Sequence, residues 1–242
     1  MLDRLITKIR SLRYGMRSKH IKERPFNVTV DGETRQLFHS AFNTAWMGEL
    51  GIQTKTIVEL GSFDGGDAYR FRQDFPDARI VTVEADPTRY GVVQSNLAGQ
   101  NIEIVNCAAC ATDGDIDWFV STVDGEPQAQ GSMFQHSQSY QKKFPQVQQS
   151  NEPIKVSGRR FDSLAKDLSV TDVDLLHMDI EGAEHNVLKT LGDINPRLIY
   201  LEWRQDYFRN TEGSAATEKL LTDRGYKLIL LKTSDRLYFL PE

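Results

Sequence analysis

The sequence predicts an α/β fold built on a mostly parallel sheet that closes with an antiparallel strand. Three observations carry this. From residue 56 onward, short apolar, β-branched runs alternate with helical stretches, the pattern of βαβ units. The first run, "TIVELGSFDGGDAYRF" (56–71), passes through a glycine turn directly into a helix. The last two runs lie too close together for a crossover helix, so one strand must oppose its neighbour. At 242 residues the chain fits one such domain with decorations, or a domain and a small subdomain. With 39% hydrophobic and 26% charged residues, it can build a core without disulfides.

In chain order, "MLDRLITKIRSLRYG" places Leu2, Leu5, Ile6, Ile9 and Leu12 on one helical stripe opposite basic residues. An appended helix that packs on the body or on a second subunit is expected there; a membrane-surface helix is the alternative. "FNVTVDGE" reads as a short strand or hairpin, and "LFHSAFNTAWMGELG" (37–51) as a helix closed by Gly51. Residues 56–61 predict a strand and 65–73 a helix, "ARIVTVEAD" a strand and 87–98 a helix opened by Pro87. "IEIVNCAA" and "DIDWFVS" read as strands on either side of the turn "TDGD". "VDLLHMDI" predicts a strand, "AEHNVLKTL" a helix, "RLIYLEW" a strand and "AATEKLLTDRG" a helix. "YKLILLK" and "RLYFLP" form the closing hairpin. "RRFDSL" (159–164) reads as a strand end with Asp162 as helix N-cap.

Residues 1–50 are therefore read as a basic helix and cap region, and 51–242 as the main domain. Within it, the Gln- and Ser-rich stretch 122–153 is read as a lid insert facing substrate, because so long a loop inside a compact domain is usually functional or disordered. Met133, Phe134, Tyr140 and Phe144 give it apolar side chains to pack with.

Net charge is -5. Residues 1–24 carry eight Lys/Arg against Asp3 and Glu23, a balance of +6, which leaves about -11 on the remainder. An acidic body argues against a nucleic-acid partner, since phosphate contact needs clustered basic residues. No apolar run approaches a membrane span, and the N-terminus has no signal-like apolar segment. A cytoplasmic protein without integral membrane contact, with a possible homo-oligomer, is the expectation. Cys107 and Cys110 sit three apart on an extended strand and point to opposite faces, so buried, inert thiols are expected.

The glycine turn poses a charge problem. A dinucleotide fingerprint would need glycine at 63, where Phe63 stands, and Asp64 and Asp67 would face two phosphate charges. No Gly-Lys-Ser/Thr follows for a Walker loop. A cationic nucleoside reverses the sign, and S-adenosylmethionine, with its sulfonium and ammonium, fits. Glu59 at the end of the first strand can then reach the ammonium directly or through water, while Gly61 and Gly65 admit the methionine portion. In "VEADP" (83–87), about 20 residues on, Glu84 can accept both ribose hydroxyls, at roughly 1.5–3 kcal/mol per charge-assisted bond. Ala85 and Asp86 follow it. Cys107 and Ala108 in "NCAA" leave room for adenine.

These residues resemble the FkbM family of S-adenosylmethionine-dependent methyltransferases. The likeness spans roughly 55–205, on "VELGSFDGGDA", "VEADP", "NCAACATDGDIDWFV", "RRFDSL" and above all "VDLLHMDIEGAEHNVLKTL". It implies a Rossmann-like, doubly wound, seven-stranded and mostly parallel sheet, here with a helical N-terminal extension. It also implies O-methylation of a hydroxyl on a sugar, glycan or secondary metabolite. Two positions depart from the family's pattern: Ser62-Phe63 replaces Ala-Asn, and His177 stands where Lys is common.

At the Asp-x-Glu-Gly corner, His177, Asp179 and Glu181 alternate onto one face of a strand. Glu181 is placed to cap the following helix, with Glu184 and His185 in its first turn. Ligands of open α/β sheets bind beyond the carboxyl strand ends, which brings Asp179 and Glu181 to the cofactor. A hydroxyl acceptor must lose a proton as it attacks, and Asp179, His185 and His177 are the candidate bases. A metal held by His177, Asp179 and Glu181 is conceivable, but no metal is assigned. Glu202 and Trp203 could face the acceptor. The rival readings are an NAD-dependent sugar-modifying enzyme and a non-catalytic cofactor-binding interaction protein.

Overall fold

The computed structural model describes residues 24–203, 207–209, 211–232 and 235–241, so the expected N-terminal basic helix lies outside the described residues. Strands β1 (Arg24–Val30) and β2 (Glu33–His39) pair antiparallel along their full length. Asp31 and Gly32 between them have φ of 51° and 81°, the left-handed pair that a two-residue hairpin turn demands. Val28, Val30 and Leu37 share the buried face and pack against Tyr69 and Ala98.

This hairpin corrects the helix expected over 37–51. Leu37 and Phe38 belong to β2, and the helix is reduced to α1 (Ala45–Glu49). Cross-strand pairing overrides the helical spacing here. The Phe38 N–H is also taken by Asp64 Oδ2 at 2.9 Å, which anchors the strand to the glycine turn.

From residue 56 the chain lays down β3 (Thr56–Leu60), α2 (Gly66–Asp74), β4 (Arg79–Glu84), α3 (Pro87–Asn96) and β5 (Glu103–Asn106). Shorter pieces follow: β6 (Ala108–Ala109), β7 (Gly114–Trp118), β8 (Ser121–Val123), β9 (Glu126–Pro127), α4 (Gln138–Lys143), β10 (Gln148–Gln149) and β11 (Ile154–Arg159). The chain ends with α5 (Phe161–Asp167), β12 (Leu175–Met178), α6 (Glu184–Leu188), β13 (Leu198–Glu202), α7 (Ser214–Asp223), β14 (Lys227–Lys232) and β15 (Asp235–Phe239).

Seven strands form one sheet in the order β14-β15-β13-β12-β3-β4-β5. All neighbours from β13 to β5 are parallel, and β15 runs antiparallel between β13 and β14. This is the Rossmann-like, mostly parallel sheet with an antiparallel closing strand that the sequence implies. Successive residues face opposite layers: Ile57, Leu175 and Leu198 enter one apolar cluster, and Val58, Leu176 and Ile199 the other. Strand order reverses between β3 and β12, and a crevice opens beyond their carboxyl ends. Among the described residues no helix is long and apolar enough to cross a membrane.

Two local expectations change, at β6 and at Asp162. The strand "IEIVNCAA" breaks at Cys107, and β6 leaves the main sheet to pair with β11, which also pairs with β7. Cys107 and Cys110 are buried and unbridged, and burial pushes the Cys107 thiol up to about 12. Asp162 is not an N-cap: Arg160 holds that place, and Asp162 sits in the first turn, gripped by the Arg160 guanidinium at 2.6 and 2.9 Å. The insert 122–153 is ordered, as the three strands β10-β8-β9 plus α4. Tyr140 is its buried anchor, packed against His136, Phe144, Tyr207 and Phe208.

Candidate active site at the carboxyl ends of the strands

A two-part cleft opens over the switch point. Its first half encloses about 700 Å³, open mouth included, between the ends of β3, β4 and β12 and residues 107–109. Gly61 sits at the hinge with φ 87°, and a Cβ there would lie 1.9 Å from the Asp179 carbonyl oxygen. Only glycine lets these two strand ends meet. Glu84 ends β4 and faces this half. Its Oε2 accepts the Phe63 N–H at 2.8 Å and its Oε1 the Asp86 N–H at 2.9 Å. Two backbone donors thus orient a carboxylate that keeps further lone pairs to offer. Burial nevertheless raises it to about 7.

Ala85, Asp86, Cys107 and Ala108 line the same half. The Asp86 side chain is engaged as the N-cap of α3, accepting the Thr88 N–H at 2.8 Å. Arg89 lies 4.5 Å over the Phe63 ring, and both border the space. The far wall comes from Trp118 and from Gln128, Ala129, Gly131 and Met133 of the insert. Ser132 ties that wall down by donating to the Glu181 carbonyl at 2.8 Å.

The second half, about 1010 Å³ with its mouth, shares Gly61, Phe63, Gln128, Ala129, Asp179 and Glu181 with the first. Phe38, His39, Ser40, Ser62, Asp67, Gln130, His177 and Glu202 complete its lining. Asp179 and Glu181 therefore stand at the junction. Among the described residues, no Lys or Arg lines this half, whereas Asp67, Asp179, Glu181 and Glu202 do.

His177 is buried on β12, its Nε2 2.9 Å from Ser40 Oγ and its ring stacked on Tyr200 at 4.7 Å. Burial depresses it to about 4, so the imidazole is neutral. Trp203 packs on the core under the Arg236 guanidinium, 5.8 Å from its ring centroid.

Four residues assigned to the site lie outside the lining of both halves. Glu59 is buried beneath the floor, where Thr82 Oγ1 donates to its Oε2, and it does not reach the cleft directly. Asp64 points into the protein, accepting the N–H groups of Phe38 and Gly66 at 2.9 Å, and burial raises it to about 6. Gly65 serves close packing, since a Cβ would press on Leu97 at 2.9 Å. His185 faces α7, with Nδ1 2.8 Å from Thr217 Oγ1, so α6 turns it away from the cleft. Glu181 does not cap α6 either. It takes a left-handed φ of 49°, and Glu184 Oε1 instead reaches back to the Gly182 N–H at 3.3 Å.

Sequence reasoning missed Arg89, Trp118 and Ser40, and it placed the insert toward the substrate without singling out Gln128, Ala129 or Gly131. Only Trp118, an aromatic on an alternating strand, carried a local signal.

A family model described as the methyltransferase FkbM domain matches residues 59–228. The chain belongs to this family. It is 30% identical over 158 residues to the 2-O-methyltransferase NoeI of Sinorhizobium fredii, covering 61% of this chain and 62% of that protein. It is 23% identical over 151 residues to Methyltransferase 1 of Beauveria bassiana, covering 59% of this chain and 61% of that one. The chain thus spans about three fifths of the length of these curated relatives. Among solved structures, Aeropyrum pernix fibrillarin with natively bound S-adenosyl-L-methionine aligns at TM-score 0.42 and 14% identity, over 89% of this chain and 82% of that one. At that level the fold assignment rests on the strand order of this molecule alone.

Proposed function

We propose that this FkbM-family chain binds S-adenosylmethionine in the first half of the cleft and methylates a hydroxyl of an acceptor held in the second. Glu84 carries the reading. A carboxylate held by two backbone donors at the end of the second parallel strand fits a vicinal diol, and it would repel a phosphate. The donor set fits the cofactor's charge as well: Glu84, Asp179 and Glu181 line the space, and Arg89, the one cation lining it among the described residues, is stacked on Phe63.

When bound, S-adenosylmethionine supplies an electrophilic methyl group on a sulfonium. Glu84 would hold the ribose hydroxyls, and Ala85, Cys107 and Ala108 would leave space for adenine. The backbone at Gly61, Ser62 and Phe63 would border the methionine portion. The insert wall over the junction would exclude water and fix the approach. Asp179, shared by both halves, would accept a hydrogen bond from the acceptor hydroxyl and take its proton on a carboxylate oxygen as the acceptor oxygen becomes methylated. His185 lines neither half and is engaged with Thr217, and the neutral His177 serves to hold Ser40.

The carboxylates of the second half select an uncharged or cationic hydroxyl compound, a sugar, glycan or small metabolite without phosphate near the reacting hydroxyl. A transfer assay with labelled cofactor tests both parts. Neutral sugars and amino sugars should take up label, and Asp179→Ala should lower turnover by about 100-fold or more with little loss of stability. Preferential methylation of sugar phosphates would overturn the acceptor reading, and no transfer to any hydroxyl would overturn the activity.

A further inference from the structure

Beneath the second half of the cleft, Glu59 from β3, Asp67 from the first turn of α2 and His177 from β12 converge. One ligating atom of each lies within 4.8 Å of the others. Glu59 and His177 are each 1% exposed and Asp67 8%. Glu59 Oε1 and His177 Nδ1 are buried and have no hydrogen-bond partner among the described residues. Burying an unsatisfied polar atom costs about 1–3 kcal/mol, and two of the three converging side chains each carry one.

We propose that Glu59, Asp67 and His177 form a binding site for one divalent transition-metal cation of the Mn2+ or Zn2+ type. One imidazole nitrogen and two carboxylate oxygens suit these ions, whereas Ca2+ and Mg2+ favour oxygen alone. The remaining valences of the three side chains are engaged in the way that metal ligands are usually steadied. Thr82 Oγ1 donates to Glu59 Oε2, and Ser40 Oγ meets Nε2 of His177 at 2.9 Å, which leaves Nδ1 without a partner among the described residues. Asp67 Oδ1 takes Arg70 at 2.5 Å and Ser40 Oγ at 3.1 Å. Asp67 Oδ2 takes only the Ser40 N–H, at 2.6 Å, and keeps a lone pair.

Arg70 is the group that opposes an ion here. It is also held by the Phe42 carbonyl at 2.6 Å, which keeps it anchored if its contact with Asp67 loosens. The ion would tie β3, α2 and β12 together under the cleft floor. This assignment stands apart from methyl transfer and holds or fails without it.

The test is a calorimetric titration of Mn2+ and Zn2+ into the full chain, free of affinity tag and stripped with chelator, followed by thermal unfolding. One equivalent should bind and raise Tm, and Glu59→Gln and His177→Gln should each weaken binding at least tenfold. Absence of saturable binding for both ions, or unchanged affinity in folded Glu59→Gln, overturns the site. If neither variant folds, the Co2+ absorption spectrum of the wild-type chain decides. Bands shifted from those of the aqueous ion support nitrogen ligation, and a spectrum identical to the aqueous ion rejects it.

Discussion

The end of β3 with its turn and the end of β4 carry acids of the same kind, and the fold uses them in opposite ways. Glu59, Asp64 and Asp67 are held by the protein's own groups: Glu59 by Thr82, Asp64 by the backbone of Phe38 and Gly66, and Asp67 by Ser40 and Arg70. At the end of β4, Glu84 is held by backbone on one side and opens onto the cleft on the other. An acid near a ligand loop is therefore a ligand candidate only if its own chain leaves it lone pairs and a line of sight. The first set builds the floor; the second faces the guest.

Substitutions can break that contrast. The largest effect should come from Gly61→Ala, where a methyl group 1.9 Å from the Asp179 carbonyl cannot be accommodated without parting β3 from β12. A loss of about 3 kcal/mol or more, or failure to fold, is expected in denaturant titrations. Glu84→Ala should come next, weakening binding of S-adenosylhomocysteine by about 2–4 kcal/mol while circular dichroism stays native. An unchanged dissociation constant would move the ribose elsewhere.

Glu84 also sharpens the contrast through pH. Its carboxyl is raised to about 7 by burial, and hydroxyl donors favour the ionised form. Below pH 7 binding must first expel a proton, so affinity should fall by up to about tenfold per pH unit as the pH drops, and level off above 8. A flat profile from pH 6 to 8 would contradict this.

Asp64→Ala should do the reverse of Glu84→Ala. It strands two backbone N–H groups and should cost about 1–3 kcal/mol of stability, with nucleoside affinity in the folded protein nearly intact. His185→Ala should be mildest, about 1 kcal/mol of stability from the lost Thr217 contact and no change in turnover per folded molecule. A large fall in turnover would return His185 to the chemistry.

Much of the main sheet was legible because its signals are local. Ile57–Leu60, Ile80–Val83 and Leu175–Met178 are short apolar runs between glycine and helix signals, and each became a parallel strand. Of the hairpin at 24–39, the first strand and turn were legible in "FNVTVDGE", but the end of the second was not, because Leu37 and Phe38 also satisfy a helical spacing until β1 is present to pair with them. Glu84, Asp179 and Glu181 could be placed at the cleft from strand-end position alone. The inward turn of Asp64 could not, since it depends on Phe38, which lies 26 residues away in the chain. The insert was legible as a substrate-facing segment from its length, but not which residues form the wall: the position of Gln128–Met133 is set by Ser132 on Glu181 and by the Tyr140 aromatic cluster, not by anything local.

The most direct measurement is a calorimetric titration of S-adenosylhomocysteine into the wild-type chain at pH 8, with NADH titrated in parallel. One saturable site for the demethylated nucleoside and none for the dinucleotide is the predicted result. Saturable binding of NADH without any for S-adenosylhomocysteine would contradict the assignment of the cleft to a cationic methyl donor.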